Sequence, residues 1–317
     1  MGFIGRRLVI TILTLFLVSL LTFGAFHLLP GDAALLSLGI EASGEQLETL
    51  RAGMGLNKSF PEQYLSWLGK LFTGQLGSSA RFRGASVSGI IRERIPVTLS
   101  LAGLSFFFVL LIAVPVSLFS VKKEGSLTDR VVVSFTAFGI SLPGFFTGVL
   151  FIWVFGVLLR LFVPGAFVGP GENRAAFFGY LVFPALAIAI PNAALLVKFL
   201  RSSIFREFRS DYVRTARSKG GSRAGILKSH VLKNASLPAI TLLGMIAGEI
   251  FSGSIVIEQV FGIPGIGRLL IASITARDYP VIETLIIYIA FVVILANTLA
   301  DIALQVIDPR IRLSERA

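Results

Sequence analysis

The feature that most constrains this chain is a set of long apolar stretches with no polar face. Residues 8–29 and 96–121 contain no Asp, Glu, Lys or Arg. Each stretch exceeds the roughly 20 helical residues needed to cross the hydrocarbon core of a bilayer. A helix on the surface of a soluble protein would instead show charged positions on every turn of its outer face. Composition points the same way. The chain is 54% hydrophobic and 15% charged, with a mean hydropathy of +0.83, whereas soluble domains carry about 25% charged residues. The expected class is an all-α integral membrane protein.

Charge and residue usage narrow the functions available. A formal charge of +11 would suggest a nucleic-acid partner in a soluble protein. Here the basic residues flank apolar runs, as expected where they set orientation in a membrane, so no nucleic-acid role is expected. The chain has no cysteine, which excludes disulfides, thiolate nucleophiles and Cys-ligated metals. His27 and His230 each lack a second histidine nearby, and no metal site is expected. Arg6 and Arg7 before an apolar run resemble the start of a signal peptide. However, the run is longer than an h-region of roughly 7–15 residues. His27-Leu28-Leu29-Pro30-Gly31-Asp32 also offers no small-x-small cleavage site. A retained first helix is the expectation.

Six spans can be drawn, at 8–29, 96–121, 131–159, 180–200, 238–257 and 281–307. The corresponding organisation is an N-terminal transmembrane helix (1–30) and an extracytoplasmic segment (31–95). A core of five transmembrane helices (96–308) and a short cytoplasmic tail (309–317) follow. Lys and Arg concentrate before the first span, between the second and third, across 198–236 and after the last. All four segments fall on one side of a six-span arrangement, which makes both termini cytoplasmic. Arg92 and Arg94, beside the second span on the other side, run against this trend. They end a long segment, and loops of about 60 residues or more are poor guides to orientation. Pro115, Pro143, Pro184, Pro191 and Pro238 fall in or at the edges of spans. An interior proline removes a helical hydrogen bond and kinks the helix, which suits either a moving pore or inert packing.

The segment 201–236 is the most informative loop. Asp211-Tyr212-Val213-Arg214-Thr215-Ala216-Arg217-Ser218-Lys219 reads as a short basic helix, interrupted by Gly220-Gly221. Glycine costs about 1 kcal/mol in a helix and readily takes positive φ. Ser222 can then cap a second helix that runs on to Leu237-Pro238. Two readings stay open from charge alone: a helix–turn–helix that docks on a cytosolic partner, or an ordinary positive-inside loop.

This segment resembles the EAA loop of ABC importer permeases, whose pattern is Glu-Ala-Ala, three residues, Gly, then an apolar-Leu-Pro ending. The matching positions are Arg214, Thr215, Ala216, Gly220 and Ser236-Leu237-Pro238. Arg214 and Thr215 depart from the general pattern but match the dipeptide/oligopeptide/nickel branch, as do His230 and Lys233-Asn234-Ala235. Gly221 stands where that branch usually has Leu. Further matches follow in order along the chain: Gly55-Leu56-Asn57, Gly74-Gln75-Leu76-Gly77 and Arg94-Ile95-Pro96-Val97-Thr98-Leu99. Beyond these come Ser141-Leu142-Pro143, Glu258-x-Val260-Phe261-x-x-Pro264-Gly265-x-Gly267-Arg268-Leu269, Arg277-Asp278-Tyr279-Pro280-Val281 and Asp308-Pro309-Arg310.

The resemblance implies a type I ABC importer permease bundle with a cytoplasmic coupling helix. It would pair with a homologous second permease and dock Asp211, Tyr212, Arg214, Thr215, Ala216, Lys219, Gly220 and Gly221 on a cytosolic ABC ATPase. An extracytoplasmic substrate-binding protein would deliver cargo such as peptides or nickel chelates. ATP and Mg would be used by the partner ATPases, with no cofactor on this chain and lipid around its outer faces. The chain has no Gly-x-x-x-x-Gly-Lys-Ser/Thr phosphate loop, in keeping with a subunit that borrows its ATPase.

Glu249 lies near the middle of the fifth span, where a lone charge costs roughly 2.5–3.5 kcal/mol or more. It could face the pathway and favour cationic or amine-bearing cargo, or it could make an interhelical hydrogen bond. Glu249, Ser252 and Pro143 are the candidate pathway positions. Two rival classes are weaker. A membrane enzyme needs a nucleophile with a base or a ligand cluster, and an ATP-independent channel or secondary carrier needs no docking loop.

Overall fold

The computed structural model describes residues 3–28, 44–54, 57–79, 81–82 and 84–307. Several positions singled out above lie outside them: Leu29 to Asp32, Gly55-Leu56, Asp308-Pro309-Arg310 and the 309–317 tail. The regular elements among the described residues are helices, with one isolated antiparallel bridge between Ser78 and Ser86.

The helices, in chain order, are α1 (Phe3–Leu28), α2 (Gly44–Met54), α3 (Phe60–Thr73), α4 (Val87–Lys122), α5 (Leu127–Ser141) and α6 (Gly144–Phe151). After them come α7 (Arg174–Phe208), α8 (Asp211–Ser218), α9 (Arg223–Ile226), α10 (Leu232–Phe261), α11 (Ile266–Ala276) and α12 (Tyr279–Ile307). Two π-helical stretches, Ile152–Leu158 and Leu227–Val231, extend α6 and join α9 to α10. Five continuous helical segments are long and apolar enough to cross a membrane: Gly5–Leu28, Val87–Lys122, Arg174–Phe208, Arg223–Phe261 and Tyr279–Ala303.

The sixth candidate span is not one helix. The expected stretch 131–159 is divided between α5 and the run from α6 to Leu158, which meet at 102°. Leu142 and Pro143 are both extended (φ −79°, ψ 121° and φ −62°, ψ 137°). A residue before proline is pushed out of the helical region, and Pro143 then caps the following helix. Pro184, Pro191 and Pro238 meanwhile ride inside continuous helices. The fourth span also outruns its expected limits, because α7 continues past residue 200 and carries Arg201 and Arg206 as helical residues.

The chain divides into two compact units that interleave along the sequence, one of residues 1–7, 97–268 and 292–317, the other of residues 8–96 and 269–291. In the first, α7 is the central element and packs against α5, α6 and α10. Its core positions are Phe177, Leu181, Ala185, Ala189, Leu196 and Ile204. Small residues let membrane helices approach closely, and they do so here. A Cβ on Gly139 would lie 3.0 Å from the Ala194 Cβ, and one on Gly244 would lie 2.4 Å from that of Ala300.

In the second unit, an aromatic cluster holds α1 to α3. The Phe23 ring meets Phe60, Tyr64 and Trp67 at centroid distances of 5.4, 5.6 and 5.4 Å. Ser19 and Tyr64 share a hydroxyl hydrogen bond of 2.7 Å. His27 stacks beside the Phe23 ring. Large apolar side chains such as Leu21 (71% exposed) and Phe135 (72%) stay on the outside of both units. In water such faces would aggregate, whereas in a bilayer the acyl chains solvate them.

Candidate coupling loop and transport face

The loop 201–236 folds into a short helix, a glycine turn and a return. Ser210 precedes α8 in extended conformation, and Asp211 lies in the first helical turn, where a negative charge suits the helix dipole. Val213 is the buried residue of this helix, at 1% exposure. Asp211 and Arg214 point outward, 93% and 84% exposed, and pair with each other at 3.3 Å. Tyr212, Thr215 and Lys219 are also exposed, and Ala216 is half-buried. Gly220 has φ +83°, the left-handed region that disfavours a side chain. Its N–H donates to the Arg217 carbonyl at 2.9 Å, and that of Gly221 donates to Ala216 at 3.1 Å.

Gly221 explains its own departure from Leu. A Cβ there would sit 2.9 Å from the Ala216 carbonyl oxygen and 3.1 Å from Ile226 Cγ1. Ser222 then caps α9, its hydroxyl accepting from the Gly225 N–H at 3.2 Å. The returning helical segment of the motif buries Ile226, Leu227 and Val231. All eight expected coupling residues therefore lie on one contiguous helix and turn, with most of their surface free.

Below this loop, charged and aromatic groups tie it to the membrane helices of the same unit. The Phe208 ring is flanked by the guanidinium groups of Arg217 and Arg223, at 6.0 and 5.3 Å. Arg223 also pairs with Glu124 in the α4–α5 turn. Tyr212 donates to the Glu207 carboxylate at 2.7 Å. Partial burial raises the pKa of its phenol above the ordinary value, so the donor proton is retained at neutral pH. Deeper in, Asp129 accepts from Arg201 Nη2 (2.9 Å) and Nε (3.1 Å), Ser120 Oγ (2.5 Å) and the Gly125 N–H (3.1 Å). Arg201 in turn lies over the Phe205 ring at 4.6 Å. The ends of α4, α5 and α7 thus share one polar knot.

The candidate pathway residues fall on different elements. Glu249 and Ser252 share an exposed stripe of α10 with Thr241, Met245, Val256 and Gln259. The adjoining face of the helix, at Gly244 and Gly248, packs against Ala300, Val293 and Asn297 of α12. Glu249 forms no ion pair or hydrogen bond among the described residues. Asp301, by contrast, pairs with Arg7. Pro143 is exposed at the break between α5 and α6, on a different helix from the other two.

A further arrangement was legible only as a motif. Glu258 has 0% exposure and its carboxylate accepts from Thr98 Oγ1 (2.6 Å) and the backbone N–H groups of Gly267 (2.7 Å) and Arg268 (3.1 Å). Thr98 Oγ1 also accepts from the Ile266 N–H at 2.8 Å. The first N–H groups of α11, which have no partner inside their own helix, are thereby satisfied from two other elements. Gly265 and Gly267 make room: a Cβ would stand 2.3 Å from Glu258 Cδ or from Ile255 Cα, respectively. The signal was the spacing Glu258…Pro264-Gly265-x-Gly267.

Known proteins fit this architecture. The chain matches the family described as binding-protein-dependent transport system inner membrane component over residues 110–313. The N-terminal membrane component of the same systems matches residues 1–102. A putative peptide permease protein of Brucella ovis is 37% identical over 98% of both chains. The oligopeptide transport system permease protein AppB of Bacillus subtilis is 35% identical over 98% of this chain and 99% of its own. A probable peptide ABC transporter permease protein of Sinorhizobium fredii is 33% identical over 98% of this chain and 99% of its own. In fold, the chain resembles a solved chain from the MetNI methionine ABC transporter in inward-facing conformations. The TM-score is 0.55 at 16% identity, over 69% of this chain and 96% of that one. The chain belongs to the inner-membrane component family of binding-protein-dependent transport systems, as the multi-pass permease subunit of an ABC importer rather than its ATPase.

Proposed function

We propose that this chain forms half of the pore of a peptide importer and receives its driving force through α8. The carrying observation is the shape of the coupling loop. A short helix with one buried residue, Val213, presents Asp211, Tyr212, Arg214, Thr215, Ala216 and Lys219 to the surroundings. The turn at Gly220 and Gly221 leaves no bulk on its tip. Such a helix fits a cleft on a cytosolic ATPase, and its charges complement acidic and polar partner surface. ATP and Mg are used on that partner, whose closure rocks this permease and a homologous second permease between outward- and inward-facing states. An extracytoplasmic binding protein delivers the cargo. Peptides are the class favoured, because the relatives named above are peptide permeases.

In this reading both termini and the coupling loop are cytoplasmic, following the concentration of Lys and Arg. The α10 stripe bearing Glu249 and Ser252 faces the pathway, because an exposed carboxylate at mid-helix is too costly to leave in lipid. Pro143, at the α5–α6 break, gives the pore wall a point of movement.

Affinity purification of the tagged chain from native membranes tests the proposal, with mass spectrometry and an ATPase assay. Recovery of a homologous permease and an ATPase, lost when Ala216 and Gly220 are replaced by bulky residues, is the expected result. Recovery of this chain alone, without ATPase activity, would overturn it in favour of a channel or secondary carrier.

A further inference from the structure

The loop before α4 and the first turns of that helix form a cleft of about 580 Å³, within the range of small-molecule sites. It belongs wholly to the second unit. Arg81 and Arg94 both line it, and each guanidinium lies 5.5 Å from the centroid of the same ring, Phe82. Both are held in place by backbone. Arg81 Nη1 donates to the Ala272 carbonyl at 2.6 Å, and Arg94 Nη1 donates to Ile90 at 2.9 Å. The base of the Arg81 loop is anchored as well, since the Arg81 N–H donates to Asp278 Oδ2 at 3.2 Å.

Each guanidinium carries five N–H donors in a fixed fork, and one nitrogen of each is committed to a carbonyl. Among the described residues neither forms an ion pair. Two like charges beside one ring repel each other, and an anion within reach of both would relieve that repulsion. Carboxylates match the fork geometry in bidentate fashion. The cleft also holds an exposed carboxylate, Glu93, next to Arg94, while Phe82 and Ile90 provide apolar surface. A positive end, a negative group and an apolar wall together describe a site for a small zwitterion.

We infer that this cleft is a subsite for short peptides, in which Arg81 and Arg94 take the free terminal carboxylate and Phe82 packs against a side chain. Glu93 takes the α-ammonium of the shortest ones. The inference rests on the importer reading above, which puts this loop on the side where cargo arrives, and it gives the permease a recognition step of its own.

The chain has no cysteine, so Ser86→Cys places a single thiol on this subunit, in the wall of the cleft. The experiment follows modification of that thiol by N-ethylmaleimide in the purified transporter complex in nanodiscs. The probes are Ala-Phe-Ala and its C-terminal amide. The expected result is that the free-acid tripeptide slows labelling several-fold while the amide leaves it unchanged. Adding Arg81→Gln or Arg94→Gln should remove the protection without changing the rate measured in the absence of peptide. Equal protection by acid and amide, protection that survives both substitutions, or no protection by either peptide would each overturn the assignment. Should an arginine variant alter the peptide-free rate, the acid-versus-amide contrast in Ser86→Cys alone decides. ATPase co-purification is scored separately in the same preparations. Loss of the cleft result with the ATPase still bound rejects only the subsite, and absence of the ATPase rejects the importer reading.

Discussion

Arg201 on α7 grips Asp129 on α5 through two guanidinium bonds of 2.9 and 3.1 Å, with the Asp129 side chain only 7% exposed. Its counterpart nearer the surface, Arg223 with Glu124, leaves both partners about half exposed (51% and 48%). The two pairs have similar chemistry and different surroundings, and those surroundings decide what each contributes. Removing one partner of a buried pair strands the other charge, which costs about 3–5 kcal/mol. An exposed pair contributes about 0–1 kcal/mol. Arg201→Ala should therefore destabilise the purified protein by about 3 kcal/mol, given that Arg201 is itself 26% exposed, and so lower its thermal midpoint markedly. Arg223→Ala should leave the midpoint nearly unchanged. Equal shifts for the two variants would refute the assignment of Asp129 and Arg201 as the structural knot.

The Glu258 cradle predicts an unusual intolerance of small substitutions. Gly267→Ala drives a Cβ to 2.3 Å from the backbone of Ile255, which cannot swing away as a side-chain tip can. Overpacking of this kind typically costs about 1–3 kcal/mol. Gly103→Ala is the matching control, because nothing lies within 4 Å of its added methyl. Monodisperse yield and thermal midpoint should fall for the first and hold for the second.

Glycine also sets the coupling turn. Gly220→Ala must hold a side chain at φ +83°, at a cost of roughly 1–2 kcal/mol for an L-residue. The substitution sits on an exposed turn outside the bundle, so membrane insertion should be normal while ATPase recovery with the tagged chain falls. A co-purified ATPase yield equal to wild type would show that the turn geometry is not read by the partner.

Glu249 carries a prediction about cargo charge. If its carboxylate faces the pathway, Glu249→Gln should reduce uptake of Lys-containing peptides more than that of Glu-containing ones of the same length. Proteoliposome uptake of the two peptides gives the ratio directly. An unchanged ratio and unchanged rates across both substrates would sink the pathway role and leave contact with another subunit as the reason for the charge.

Much of this protein could be read from one dimension. Hydropathy is a local property, and a backbone without water must close its hydrogen bonds within the helix, so five of the six drawn spans appear as continuous helices. The glycine turn after α8 was equally legible, because glycine's access to positive φ at Gly220 depends on that residue alone.

Tertiary structure decided the rest, through groups far apart in the chain. Prolines look alike in sequence, yet Pro184 and Pro238 leave their helices continuous, while Leu142-Pro143 bends its span by 102°. Glu249 and Glu258 are two carboxylates on one helix, and only the spacing from Glu258 to Gly265 and Gly267 hinted at their different fates. One faces outward on a stripe with Ser252. The other turns inward to meet a threonine hydroxyl 160 positions away and two amide groups of the next helix. Which face of a helix is buried depends on what the rest of the chain brings against it, and that requires the fold.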